Sequence, residues 1–296
     1  MKPFIPFLKS IFLFMMFFLF STSEFIMLNT SDSPPFWARL GAKLEYEGYV
    51  DSVYFYNKSM VPKPFLNMSG VNLEGNYSII LLSFEEKMNV HLSLFIENIT
   101  NSIAFFRIIL KIGGYSSMKK VLVDLSTRQV TLPNGTLLGQ TIFWIPPCSK
   151  GDTIPFVGQE NSTVFIEISD LSFKDTIQGV QDVYLIRTKS QKAGVSKPIT
   201  PTEAQSIEYF FPRFIYYDAD TFILIEGKID EDAFLSAFGI LRFGEDFKLV
   251  STNIDLGPQN LFIALLRLLP YIILVAIILI TTFYFVFVKK RRSRKP

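Results

Sequence analysis

The sequence predicts a mainly β ectodomain, built as an antiparallel sandwich or a strongly curved open sheet, followed by one C-terminal transmembrane helix. Three observations predict it. Many short runs rich in β-branched and aromatic residues are separated by turn chemistry. No period of 3.6 is sustained outside the two ends of the chain. Residues 268–288 form 21 consecutive positions without a charge, and a helix of that length covers the roughly 30 Å hydrocarbon core of a bilayer at about 1.5 Å per residue.

The N-terminal element comes first. Lys2 precedes an apolar run at residues 11–20 and the small polar triplet Ser21, Thr22 and Ser23, the parts of a secretory signal. Residues 1–23 therefore read as a signal peptide cleaved after Ser23, or as a signal anchor that is retained. Either way residues 24–267 are expected outside the cytoplasm. Residues 31–35, with Pro34 and Pro35, read as an N-terminal arm.

The strands follow. Residues 88–97 place Val90, Leu92, Leu94 and Ile96 on one face at period two, as a half-buried strand requires. Further strands are expected at 43–50, 77–84, 103–112, 120–125, 128–132, 163–169, 183–188, 207–217, 222–227, 234–243 and 247–251. Asn134 and Gly135 tolerate positive φ and mark a turn, and residues 218–221 should close a second hairpin. Residues 189–205, with Pro198 and Pro201, read as a long loop. It lies within one continuous domain or between two subdomains.

The membrane span at 268–288 begins with Pro270 in its first turn, where a missing N–H is tolerated. Tyr271 and Tyr284 fall near its two ends, where amphipathic rings favour the interface. Six basic residues in the tail 289–296 hold that end on the cytoplasmic side. The expected location is the cell membrane, single-pass, with the N-terminus and ectodomain outside.

Composition narrows the function. The chain of 296 residues has 29 basic and 27 acidic side chains. Removing the leader and tail leaves 21 basic against 27 acidic, and an acidic exterior argues against nucleic acid as a partner. Cys148 is the only cysteine, so no intrachain disulfide forms and no Cys/His zinc site can be assembled. Beside Pro146 and Pro147 it reads as a small buried apolar residue, with an intermolecular disulfide or lipid attachment as the other reading. Asn29, Asn57, Asn67, Asn76, Asn98, Asn134 and Asn161 each begin an Asn-x-Ser/Thr site. That is 7 of 12 asparagines where chance gives about two, and it predicts a glycoprotein. Residues 165–267 carry no such site, which suggests shielding by a partner or closeness to the bilayer.

Residues 123–130, the turn 133–136, Gly139, Phe143 with Trp144, and later residues 216–224 resemble segments of uncharacterised archaeal single-pass surface proteins. The resemblance covers about a quarter of the chain. It implies a β-sheet ectodomain in which a Tyr-Asp turn joins two strands, although Phe222 stands where those proteins usually have Gly. It implies no catalytic residue.

Chemistry is sparse. His91 is the sole histidine and lies opposite Val90 and Leu92, so any Ser-His-Asp arrangement must use it; an exposed strand residue is the plainer reading. The acidic clusters at 85–86, 230–232 and 245–246 sit at expected strand ends, as solvated turns do, rather than facing each other as a glycosidase pair. Asp218 and Asp220 could supply oxygen ligands to Ca²⁺, but without the Gly and distal Glu of an EF-hand they read as a turn. No catalytic, cofactor or metal residue is assigned, and no cofactor is expected. The chain holds 31 Phe, 12 Tyr and 2 Trp, densest at 209–217. Core packing with both faces of the run covered is the plainer reading; otherwise Tyr209, Phe210, Phe214, Tyr216 and Tyr217 form a contact or ligand surface. The leading expectation is a non-enzymatic surface glycoprotein that contacts the lipid bilayer and other membrane or envelope proteins. A tethered module for an apolar or small ligand, and then a surface hydrolase, are the alternatives.

Overall fold

The run expected at 88–97 lies inside a much longer strand, and the reason is a bend shared by three neighbours. The computed structural model describes residues 34–67, 70–74, 79–159, 162–187, 194–200, 203–208, 214–230 and 232–292. These fall in one unit, Ser31–Pro296; the expected signal at 1–23 lies outside the described residues. The chain order is β1 (Lys43–Phe55), β2 (Val71–Glu74), β3 (Ile80–Thr100), β4 (Ile103–Ile112), β5 (Tyr115–Asp124), β6 (Gln129–Thr131), β7 (Leu137–Gln140) and β8 (Thr153–Gln159). It continues with β9 (Ser162–Glu167), β10 (Asp170–Thr176), β11 (Gly179–Arg187), β12 (Gly194–Thr200), β13 (Glu203–Glu208), β14 (Phe214–Asp218), β15 (Leu224–Asp230) and β16 (Ile240–Thr252). A helix, Leu261–Arg292, ends it.

Twelve strands form one antiparallel sheet in the order β10-β11-β14-β15-β16-β1-β3-β4-β5-β6-β7, with β2 on β3. β8–β9 and β12–β13 are separate two-stranded ladders. The centre of the sheet is made by β16, β1 and β3. Their registers break at one level: Val50 pairs with Met88 but Ser52 with Ser83, and Glu47 pairs with Lys248 but Val53 with Phe243. Extra residues on one strand bend it and raise its twist, so the sheet curls. Gly48 sits at this bend, where an added Cβ would lie 2.8 Å from the Asp246 carbonyl oxygen. Lys87 and Glu245 pair across it at 2.5 Å.

The inner face of the curl holds the aromatic core. Phe106, Phe143, Trp144 and Phe234 are fully buried with ring centroids 5.4–6.2 Å apart, and Trp37 meets Trp144 edge-on. Such contacts add to the burial of the large side chains themselves. Through this core runs a buried strap, residues 141–145. Trp144 bridges Ile223, the Ile145 N–H donates to the Phe222 carbonyl, and the Leu224 N–H donates to the Phe143 carbonyl.

A strap inside a core must have its peptide groups satisfied, and side chains do much of this. Asp232 accepts from the Ile142 N–H at 2.6 Å and the Thr141 hydroxyl at 2.8 Å, while its other oxygen caps the helical turn Ala233–Ser236 by accepting from the Phe234 N–H. The Tyr217 hydroxyl donates to the Ile142 carbonyl at 2.7 Å. Arg128 donates to the Thr141 and Trp144 carbonyls. Burial pushes the Asp232 carboxyl up to about 6 against these donors, and lowers Arg128 to about 10.

Several expectations are corrected here. Asp232 is no solvated turn residue but fully buried. Residues 234–243 are not one strand: a helical turn fills the core first, and β16 begins only at Ile240. The loop expected at 189–205 contains β12, paired to β13 from Gly194↔Glu208 to Thr200↔Glu203. Pro198 is accommodated because, among the described residues, β12 pairs along one edge only. Of the strand expected at 207–217, residues 207–208 end β13 and residues 214–217 lie in β14, while 209–213 lie outside the described residues.

Candidate functional site

The expected aromatic surface divides by alternation. Tyr209 and Phe210 lie outside the described residues. In β14, Phe214 and Tyr216 point to the outer face and Ile215 and Tyr217 to the inner. Phe214 is 53% exposed. Tyr216 is half-buried under Lys174, whose ammonium lies 4.1 Å from the ring centroid and 2.5 Å from Glu226. Tyr217 is wholly buried and belongs to the core, not to a contact surface. Its hydroxyl is pushed well above its ordinary value by burial.

The register aligns Tyr216 with a row that no single stretch of sequence displays. Tyr216 is opposite Glu226, Glu226 opposite Lys248, Lys248 opposite Glu47, Glu47 opposite His91, and His91 opposite Lys111. Opposed side chains on one face interact directly, so the outer face carries a row across six strands in which Glu226, Lys248 and Glu47 alternate in charge, flanked by Tyr216 on one side and by His91 and Lys111 on the other. Beside it, His91 Nδ1 is 3.2 Å from Glu47 and Nε2 is 3.0 Å from the Ser93 hydroxyl. That order imitates a serine-histidine-acid relay. Ser93, however, is 5% exposed, and its hydroxyl also donates to Glu45 at 3.5 Å. Its strand is paired to β1 and β4 on both sides, so the local backbone N–H groups are held in ladders rather than gathered as an oxyanion hole. Burial tends to raise Glu45, but bonds from Lys43 and Ser251 outweigh it and hold the carboxyl below its usual range. The cluster is a charge network on a sheet.

Residues 218–221 do close the β14–β15 hairpin. Asp218 Oδ1 accepts from the Thr221 N–H and hydroxyl, both at 2.7 Å, and from the Asp220 N–H at 3.2 Å. Its Oδ2 is buried without a partner, and burial pushes the carboxyl up to about 7. Phe222 takes φ +61°, the left-handed conformation that glycine favours, and its ring stacks on Tyr184 at 6.0 Å. Among the described residues no group of three or more His, Cys, Asp or Glu side chains is placed to hold a metal.

Of the glycosylation candidates, Asn67, Asn98 and Asn134 are exposed and Asn57 is half-buried, its side-chain oxygen accepting from Ser59 and from the Met60 N–H. Asn29, Asn76 and Asn161 lie outside the described residues. Asn134 crowns the β6–β7 turn, where Gly135 adopts φ +88°. Cys148 is half-buried against the core, and burial pushes its thiol up to about 12.

The C-terminal helix leaves the domain at once. From Leu265 to Leu279 twelve large apolar side chains are each 46–68% exposed. Among the described residues no helix is long and apolar enough to cross a membrane. The backbone of this helix continues to Arg292.

The helix start is bound tightly to the β10–β11 hairpin. Asn260 caps the helix by accepting from the Ile263 N–H at 3.1 Å. The same side chain donates to Asp182 at 2.6 Å, and the Asn260 N–H donates to the Val180 carbonyl. Gln178 accepts from the Leu256 N–H and donates to the Ile254 carbonyl, while Gln259 donates to the Gln178 carbonyl. Sequence reasoning missed this junction. Its one local signal is Asn260 at N-cap spacing before an apolar run.

In comparisons with known proteins the chain matches no family model, no curated protein and no solved structure.

Proposed function

We propose that this protein is a non-enzymatic, membrane-anchored cell-surface glycoprotein whose β ectodomain acts through protein contacts, as an accessory or structural component of the envelope. The observation that carries this reading is the helix from Leu261 to Arg292, in which twelve large apolar side chains between Leu265 and Leu279 stand exposed. Apolar surface beyond a few hundred Å² marks an interaction or membrane surface, and lipid is the solvent that fits all sides of an isolated apolar helix. The basic tail after Val288 orients it with the ectodomain outside. Exposed sequons at Asn67, Asn98 and Asn134 support glycosylation.

Protein contact is favoured over a small apolar ligand because Phe214 stands outward and Tyr216 lies beneath Lys174, giving an outer face of charge and scattered rings. A hydrolase is disfavoured by the ladder pairing around Ser93.

The test combines protease treatment of sealed, right-side-out cells with cross-linking in intact membranes. The reading expects loss of the ectodomain, a protected C-terminal tag and stoichiometric co-purifying protein. Recovery of a stoichiometric lipid with no protein would remove the contact function, and an externally accessible C-terminal tag would reverse the orientation.

A further inference from the structure

Resting on the membrane reading above, we infer that the β10–β11 turn, residues 176–179, sits on the lipid headgroups, held there because Asn260 fixes the ectodomain to its helix as one rigid unit. The geometry supplies two parts of this. First, the helix does not hang from a linker. Asn260 joins helix and sheet through its cap to Ile263, its amide to Asp182 and its N–H to Val180. Gln178 and Gln259 fasten the preceding residues to the same hairpin. The approach is close: a Cβ on Gly179 would lie 2.6 Å from the Gln259 side chain. Second, the spacing is short. The uncharged run begins at 268, so residues 261–267 supply only about 10 Å of helix, close to the roughly 5–8 Å thickness of one headgroup layer.

The surface presented there suits lipid. The turn is tight, with the Thr176 hydroxyl donating to the Gly179 carbonyl and the Gln178 N–H donating to the Thr176 hydroxyl. Ile177 at its tip is 44% exposed and residues 176–179 carry no charge. The whole hairpin also lies in the half of the chain without sequons, where a bulky glycan would obstruct contact with the bilayer.

The experiment uses the full chain in phosphatidylcholine vesicles, with Cys148→Ala as background and a polarity-sensitive fluorophore on Ile177→Cys. A spin label carried on the lipid headgroup serves as quencher. The same label on Phe214→Cys is the reference, about 26 Å further along β11 at its paired far end. Quenching at 177 is expected to exceed that at 214 severalfold. Asn260→Asp retains the cap oxygen but sets a second carboxylate against Asp182, and should at least halve the quenching at 177. Asp182→Asn provides a second variant that leaves the cap residue intact and should weaken the quenching in the same direction. Equal quenching at 177 and 214, or none at 177, in protein that floats with the vesicles overturns the seating. Undiminished quenching in both junction variants overturns the role of Asn260. Failure of the unaltered chain to float with vesicles instead overturns the membrane reading itself.

Discussion

Tyr217 shows how one side chain serves both packing and polarity. Its ring is buried while its hydroxyl satisfies the Ile142 carbonyl at 2.7 Å. Tyr217→Phe should therefore lower unfolding free energy by about 1–2 kcal/mol, measured by denaturant titration; no change would mean that the carbonyl finds another donor. Two buried carboxylates give stability a pH dependence. Asp218 is pushed up to about 7 and Asp232 up to about 6 by burial, against about 3.9 in an unfolded chain. Folded-state values above the unfolded one mean tighter proton binding when folded. The stability these groups contribute is present below about pH 4 and is lost as pH rises through 6 to 7. Unfolding temperature should fall between pH 5 and pH 8, and Asp218→Asn should flatten the upper part of that fall. An unaltered slope in the variant would assign the dependence elsewhere. Below about pH 4.5 the opposite trend enters, because Glu45 and Asp124 are held low by their hydrogen bonds.

At the level of elements, the bend across β16, β1 and β3 makes Gly48 a steric requirement. Gly48→Ala should destabilise by about 1–3 kcal/mol through overpacking against the Asp246 carbonyl. Gly114→Ala, with nothing within 4 Å of its added Cβ, should change stability by less than about 0.5 kcal/mol. Equal effects in the two variants would show that the bend does not depend on close approach. The same elements show why some strands were legible in the sequence. Residues 103–112 coincide with β4 because one face is buried and the other solvated, which writes period two into the residues. β10 has no buried position along its length, so it carries no such record. The strap at 141–145 is buried at every position, and its apolar run 142–145 has no period to read. Residues 234–243 misled because Phe234 and Leu235 belong to a helical turn whose signal was its Asp232 cap. The outer charge row was illegible for another reason. Glu47, His91, Lys248 and Glu226 become neighbours only once the register is set.

For the whole molecule, the exposed sequons make a direct prediction. Asn98→Gln and Asn134→Gln should each remove one glycan, read as a stepwise mass loss that disappears after enzymatic deglycosylation. Identical masses for variant and parent would leave those sites unmodified.

The strand order also carries a consequence for timing. β1 lies between β3 and β16, so its second neighbour is made about two hundred residues later. Contacts so distant in sequence close slowly. A ribosome adding roughly 5–20 residues per second takes on the order of ten seconds or more to reach β16. Every Asn-x-Ser/Thr acceptor precedes Val164, so all of them are synthesised before β16 begins at Ile240, on a chain that cannot yet shut. On the glycoprotein reading proposed above, sugar transfer would then be completed on an open substrate, before the last long strand seals the curl.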